Sequence, residues 1–161
     1  MQFSREDQGL KAPLKLPWIV FGIMLLLLLV AIIFCQVWGE QYQINWPEGR
    51  RIRIRTLFYL GSIVALPVTN LIRHIQLRLN ETMPGNKSAD KRYLLTISVS
   101  MIIIEIVGVL GIIMFLLGDG YNTLYIFIGL STLGLYLYRP KLSEYTRIKR
   151  VLAATNKNPD G

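Results

Sequence analysis

Apolar residues in this chain fall into four long blocks separated by short charged segments. Residues 16–39, 56–72 and 120–138 carry no charged side chain, and residues 93–118 carry a single one, Glu105. A helix that crosses a bilayer needs roughly 20 apolar residues, with a range of about 17–25. Lipid cannot satisfy open backbone groups, so each block is expected to be helical. The pattern predicts an all-α polytopic membrane protein with four transmembrane helices, at about 17–38, 56–73, 93–117 and 121–138. The first block is too long for a secretory signal core and no small-x-small site follows it, so it is expected to remain as an uncleaved span.

Two charged segments keep a helical period. Beyond the second block, Leu71, Ile72, Ile75 and Leu79 alternate with Arg73, His74, Gln76, Arg78 and Asn80 at amphipathic spacing. This predicts an interfacial extension of span two, ending at the breaker Met83-Pro84-Gly85. After Arg139-Pro140, Leu142, Tyr145, Ile148 and Leu152 line one face, with Lys141, Arg147, Lys149 and Arg150 on the others. A basic amphipathic helix of this kind, starting near Ser143, is expected to lie on the membrane surface. Pro67 interrupts span two, where Thr69 and Asn70 are candidates to satisfy the backbone groups it frees. Residues 40–55 read as an outer loop and Gly118-Asp119-Gly120 as a tight turn between antiparallel spans three and four. Residues 1–154 are thus expected to form one four-helix transmembrane domain with cytoplasmic amphipathic extensions, with little order before Lys11 and a disordered tail at 155–161.

Composition agrees with this class: 52% of the 161 residues are hydrophobic and 17% are charged. The net charge of +8 would suggest nucleic acid in a soluble protein, but here it reads as basic residues crowding the cytoplasmic ends of spans. Arg5, Lys11 and Lys15, then Arg73, Arg78, Lys87, Lys91 and Arg92, then Arg139, Lys141, Arg147, Lys149, Arg150 and Lys157 all fall on one side of a four-span chain. Both termini are therefore expected in the cytoplasm, with a bacterial inner (plasma) membrane as the expected location and no nucleic-acid partner. The opposite side carries Arg50, Arg51, Arg53 and Arg55. These four read as headgroup contacts of snorkelling side chains, or as a docking strip for an acidic partner or anionic lipid.

One cysteine rules out an intramolecular disulfide, and a single histidine beside it makes a Cys/His zinc site implausible. No cofactor is expected. His74 with Arg73 and Arg78 could engage a phosphate or a lipid headgroup, and these three with Arg147, Lys149 and Arg150 are the expected lipid or partner contacts on the cytoplasmic side. Anionic lipid headgroups are accordingly expected partners.

Glu105 is the residue with the most specific chemistry. A carboxyl at lipid depth is costly and needs a partner or a task. Ser98, Met101, Ile102, Gly108, Val109 and Ile112 share its helix face. Ser98 and Gly108, with Gly111 close by, would let another backbone approach. On span four, Tyr125, Gly129, Thr132 and Tyr136 form a stripe at the same spacing. A hydrogen bond from Thr132, Ser131 or Tyr125 is the expected internal solution for the carboxyl, which with no cation at its depth is expected to be uncharged. These features suggest a non-enzymatic accessory, assembly or scaffold subunit that meets another membrane protein or its own copy. A small oligomeric transporter or channel using Glu105 for protons or cations is the alternative, and a lipid-modifying enzyme around His74 is the third.

Overall fold

The computed structural model describes residues 14–82 and 89–157, and all regular elements there are helical. Five α-helices run in order: α1 (Lys15–Val37), α2 (Glu48–Thr82), α3 (Ala89–Leu116), α4 (Tyr121–Leu137) and α5 (Leu142–Lys157), with a 3-10 turn at Gly39–Tyr42. Three of them, α1, α2 and α3, are long and apolar enough to cross a membrane, while α4 is a shorter apolar helix of 17 residues. The segment before Lys11, expected to have little order, and the break at Met83-Pro84-Gly85 lie outside the described residues, as does the tail beyond Lys157. Residues 155–157, expected in that tail, still belong to α5.

Span two and its interfacial extension form one uninterrupted helix of 35 residues. At 1.5 Å per residue this is about 50 Å, well beyond a bilayer core of about 30 Å. The helix also starts earlier than expected. It begins at Glu48, so Arg50, Arg51, Arg53 and Arg55 occupy its first two turns and not a loop. Pro67 lies inside α2. The Thr69 hydroxyl donates to the Ala65 carbonyl at 2.7 Å, and not to the Ile63 carbonyl whose partner the proline removes.

The core is organised around α3, which packs on all four other helices. Its buried face carries Tyr93, Ile97, Met101, Ile104, Met114 and Phe115, all essentially inaccessible. Helices α3 and α4 meet most closely, and small residues permit this. A Cβ on Gly111 would stand 2.5 Å from the Phe127 Cβ, and one on Gly134 would stand 2.7 Å from Ile104. Tyr59 of α2 stacks on Phe127 at 4.8 Å between ring centroids and braces the same layer. By contrast α1 is loosely held. Only Pro17, Leu28 and Cys35 are buried in it, and Ile19, Leu26, Leu27, Leu29 and Val30 face outward.

The two ends of the bundle are closed differently. At the turn end, Gly118 adopts φ +95°, Asp119 N–H donates to the Met114 carbonyl at 3.1 Å, and Gly118 N–H donates to the Phe115 carbonyl at 3.0 Å. This is the Schellman arrangement that terminates a helix and satisfies its last carbonyls. The extended stretch before α2 supplies two more donors: Ile44 N–H to Leu116 O at 2.8 Å and Trp46 N–H to Leu117 O at 3.1 Å.

At the other end α5 docks onto the ends of α2 and α3. Its apolar residues Tyr145 and Ile148 are 3% and 0% exposed, buried against protein. The expected membrane-surface helix therefore spends its apolar face on the bundle, and only Leu142 of that face's described residues stays exposed. The reason is polar as much as apolar. Tyr93 Oη donates to the Lys141 carbonyl at 3.0 Å and accepts from Lys141 N–H at 2.8 Å, and Tyr145 Oη donates to Asp90 Oδ1 at 2.6 Å.

Candidate functional site

Three groups of polar side chains stand out, one at each end of the bundle and one at its middle. At the turn end the arginines of α2 separate by helix face. Arg51 and Arg55, four residues apart, point to the α3–α4 turn. Arg51 Nη1 donates to the Gly118 carbonyl. Arg55 Nη1 reaches Asp119 Oδ1 at 3.2 Å and Oδ2 at 3.4 Å. Asp119, 8% exposed, also accepts from Gly120 N–H, so it does more than shape a turn. Arg50 lies over the Trp46 ring at 5.1 Å, and Arg53 Nε donates to the Gly49 carbonyl at 3.3 Å. The expected strip of four outward arginines is thus divided: two clamp the bundle and two stay near its surface.

Glu105 sits at the rim of α3's buried face. Met101, Ile104 and Gly108 beside it are buried, while Ile102, Ile106 and Val109 are exposed. A Cβ on Gly108 would meet Leu28 of α1 at 2.5 Å and Ser131 of α4 at 3.3 Å, so the small residue does admit two neighbouring helices. With Gly39 at the end of α1 against Phe115 at the end of α3, α1 and α3 run in the same direction. Met24 and Leu25 of α1 therefore lie at the depth of Glu105, and both pack against the core. The carboxyl has apolar neighbours there, and its buried Oε2 has no hydrogen-bond partner.

The expected partners on α4 are turned elsewhere. Tyr125, Gly129, Thr132 and Tyr136 all face outward. The face of α4 that meets α3 instead carries Thr123, Leu124, Phe127, Ile128, Ser131, Gly134 and Leu135. Ser131 Oγ donates to the Ile104 carbonyl at 2.9 Å, and Tyr125 Oη accepts from Gln36 Nε2 at 2.9 Å. The hydrogen bond expected from Thr132, Ser131 or Tyr125 to Glu105 is absent for two reasons: the close approach at Gly111 and Gly134 sets α4's rotation and carries Thr132 and Tyr125 out of reach, and Ser131, which does face α3, gives its proton to the Ile104 carbonyl. Ser98, two turns before Glu105, is half-buried.

At the α5 end the structure brings several expected residues together and adds others. Arg73, 4% exposed, donates from Nη1 to the Tyr138 carbonyl at 2.6 Å and from Nη2 to the Arg139 carbonyl at 3.4 Å and Glu144 Oε2 at 2.6 Å. It therefore caps the last carbonyls of α4 while pairing with an acid in the first turn of α5, and both placements suit the helix dipoles. Tyr138 Oη donates to the Leu66 carbonyl at 2.8 Å, just before Pro67. Around this knot lies an open cleft of about 420 Å³ lined by Asn70, Arg73, His74, Leu77, Leu137, Tyr138, Lys141 and Glu144. A smaller cavity of about 60 Å³ adjoins it, sharing His74, Leu77 and Glu144 and adding Arg78 and Arg147. Lys149 and Arg150 are exposed and line neither cavity.

Asn70, Lys141 and Glu144 were not legible as members of this group. The one available signal was Glu144, a lone acid at the start of a basic helix just after Arg139-Pro140. A second lock secures the same end: Asn80 Nδ2 donates to Thr96 Oγ1 at 2.9 Å, and Arg92 Nη1 donates to the Asn80 carbonyl at 3.1 Å. Burial and the hydrogen bond to Asp90 push the Tyr145 phenol up to about 12, burial being the larger cause. Among the described residues no group of three or more His, Cys, Asp or Glu is placed to hold a metal ion. No family model, curated protein or solved structure matches the chain.

Proposed function

We propose that this chain is a four-span, non-enzymatic membrane protein that acts as an accessory, assembly or scaffold subunit of a membrane complex. The observation that carries the reading is Glu105: a carboxylate oxygen, buried and without a hydrogen-bond partner, at the rim where α3 borders the sparsely covered α1. A group in that position is costly unless something donates to it. A helix of another subunit carrying a basic side chain or an amide supplies that donor once the Glu105 side chain turns outward from the rim, where the residue as a whole is only partly buried.

A proton or cation relay is a poorer fit, because relays need successive polar groups. Met24, Leu25, Met101 and Ile104 around Glu105 are apolar, and the nearby hydroxyls of Ser100 and Ser131 are already given to the carbonyls of Thr96 and Ile104. The fourth span of this reading is α4. Its 17 residues extend about 25 Å, between a turn held by Asp119 and the basic Arg139, and it lies along α3 for its whole length. The distribution of basic residues favours a cytoplasmic α5 end, and the short connections suit a bacterial inner membrane.

The test is extraction in mild detergent after cross-linking in the native membrane, comparing wild type with Glu105→Leu. A defined membrane protein that co-purifies with wild type and is lost from an equally abundant variant is the expected result. A wild-type monomer with no stable companion overturns the proposal.

A further inference from the structure

The cleft at the α5 end has the chemistry of an anion site set at the level where apolar helix gives way to charge. On α2 the last uncharged residue is Ile72 and the next is Arg73; on α4 the uncharged block ends at Tyr138. The cleft opens between these two points, and its volume of about 420 Å³ falls in the range of about 300–1,000 Å³ usual for ligand pockets. Its one acid, Glu144, is already paired with the buried Arg73 at 2.6 Å, so the two charges cancel and neither repels an incoming anion. Lys141 lies at the cleft wall, and His74 is shared with the adjoining cavity, which Arg147 also lines. Asn70 adds an amide on the same wall. Leu77 and Leu137 line the cleft as well, giving an apolar border beside a cationic one.

We propose that this cleft binds the phosphodiester headgroup of an anionic membrane lipid, with Lys141, His74 and Arg147 at the phosphate and Leu77 and Leu137 against the first carbons of the acyl chains. Arg73 is the positioning residue: it fixes Glu144, and through it the start of α5, so that Lys141 faces α2. The site requires only that the chain lie in a bilayer; it is independent of any protein partner met through Glu105. A phosphate group could equally arrive free in solution, and the two sources differ in whether an acyl chain contributes.

The experiment is native mass spectrometry of the purified full-length chain in detergent, titrated with phosphatidylglycerol, with phosphatidylcholine, and with inorganic phosphate. Wild type is expected to retain phosphatidylglycerol in preference to phosphatidylcholine. The double variant Lys141→Gln/Arg147→Gln is expected to weaken that retention by roughly a hundredfold or more, since each hydrogen bond to a charged group is worth about tenfold or more. The double variant Lys149→Gln/Arg150→Gln carries the same net charge and lies outside both cavities, so it loses at most the general surface attraction of about fivefold per basic residue and should weaken retention clearly less. Equal weakening by both double variants would show diffuse surface charge and overturn the site, as would equal retention of the two lipids. Displacement of bound phosphatidylglycerol by inorganic phosphate at equal concentration would overturn the lipid assignment. If the Lys141/Arg147 variant fails to fold, His74→Gln, an exposed change on a different helix, replaces it with the same expected direction.

Discussion

Arg73 on α2 and Glu144 on α5 stand 71 residues apart in the chain and meet at 2.6 Å. Arg73 is one of the few charged side chains among the described residues to be almost fully buried, and its other donors hold the carbonyls of Tyr138 and Arg139. One guanidinium thus joins three helices: its own, the end of α4 and the start of α5. Removing it strands Glu144 and two carbonyls together. Arg73→Ala is expected to cost about 2–4 kcal/mol, with Glu144→Gln costing less because an acceptor for Arg73 remains. Thermal unfolding in detergent gives the magnitude. Hydrogen exchange should show the loss concentrated in α5, and an evenly spread loss would contradict this role.

The Tyr145–Asp90 contact makes the docking of α5 sensitive to alkali. Burial, and then the bond to Asp90, push the phenol up to about 12 in the folded protein from an ordinary value of 10. A raised folded value means the native state holds its proton more tightly than the unfolded state does. The contribution is therefore complete below about pH 10 and is lost as pH rises toward about 12. Exchange protection of α5 should fall across that window while the interior of α3 keeps its protection. Tyr145→Phe should shrink the pH step, and a step of undiminished size in the phenylalanine variant would assign it to another group.

The glycines offer a graded test of how α3 is packed. At Gly111 an added Cβ meets the Cβ of Phe127 at 2.5 Å and the Leu124 carbonyl at 3.3 Å, atoms fixed by backbone. At Gly108 the close neighbour is the tip of Leu28, which can turn away. Gly111→Ala should cost about 1–3 kcal/mol and Gly108→Ala clearly less. Gly129→Ala and Gly61→Ala, where nothing lies within 4 Å, should be neutral or slightly stabilising in a helix. Measured melting temperatures that failed to rank in this order would mean that α4 is not held against α3 as described.

Gly118 tests the turn end by a different principle. Its φ of +95° is open to glycine and strained for alanine, and an added Cβ would also stand 2.9 Å from the Asn45 Cα. Gly118→Ala is expected to cost about 1–2 kcal/mol, whereas Gly120→Ala, at φ −76° with open space around it, should cost little. Arg55→Ala should lie between them and weaken in salt, because Arg55 is 37% exposed and a pair so placed is screened.

The difference between what the chain announced and what it concealed follows from range. The apolar blocks are local, and they located α1, α3 and α4 within a few residues. The amphipathic period after Ile72 is local too, and it extended α2 correctly. Rotation about a helix axis is not local. Tyr125, Gly129 and Thr132 share one face by spacing, but which face meets α3 was decided by the Gly111–Phe127 and Ile104–Gly134 contacts across the interface. Likewise the basic helix after Pro140 carries no local mark separating docking on lipid from docking on protein. That choice was made by Asp90, Tyr93 and Arg73, residues 48 to 71 positions away from their partners.

Glu105 allows stability and assembly to be separated. Its buried Oε2 makes no hydrogen bond, so nothing within the chain depends on that oxygen. Replacing a buried polar group that lacks a partner with an apolar one removes a desolvation cost. Glu105→Leu is therefore expected to unfold at the same temperature as wild type or higher when each is purified alone, while Glu105→Ala should lose some stability by removing the packed length of the side chain. If Glu105 instead serves a partner, the stabilised leucine variant will be the one that fails to assemble. A leucine variant clearly less stable than wild type would show an internal donor for this carboxyl and would remove the reason to look for one on another chain.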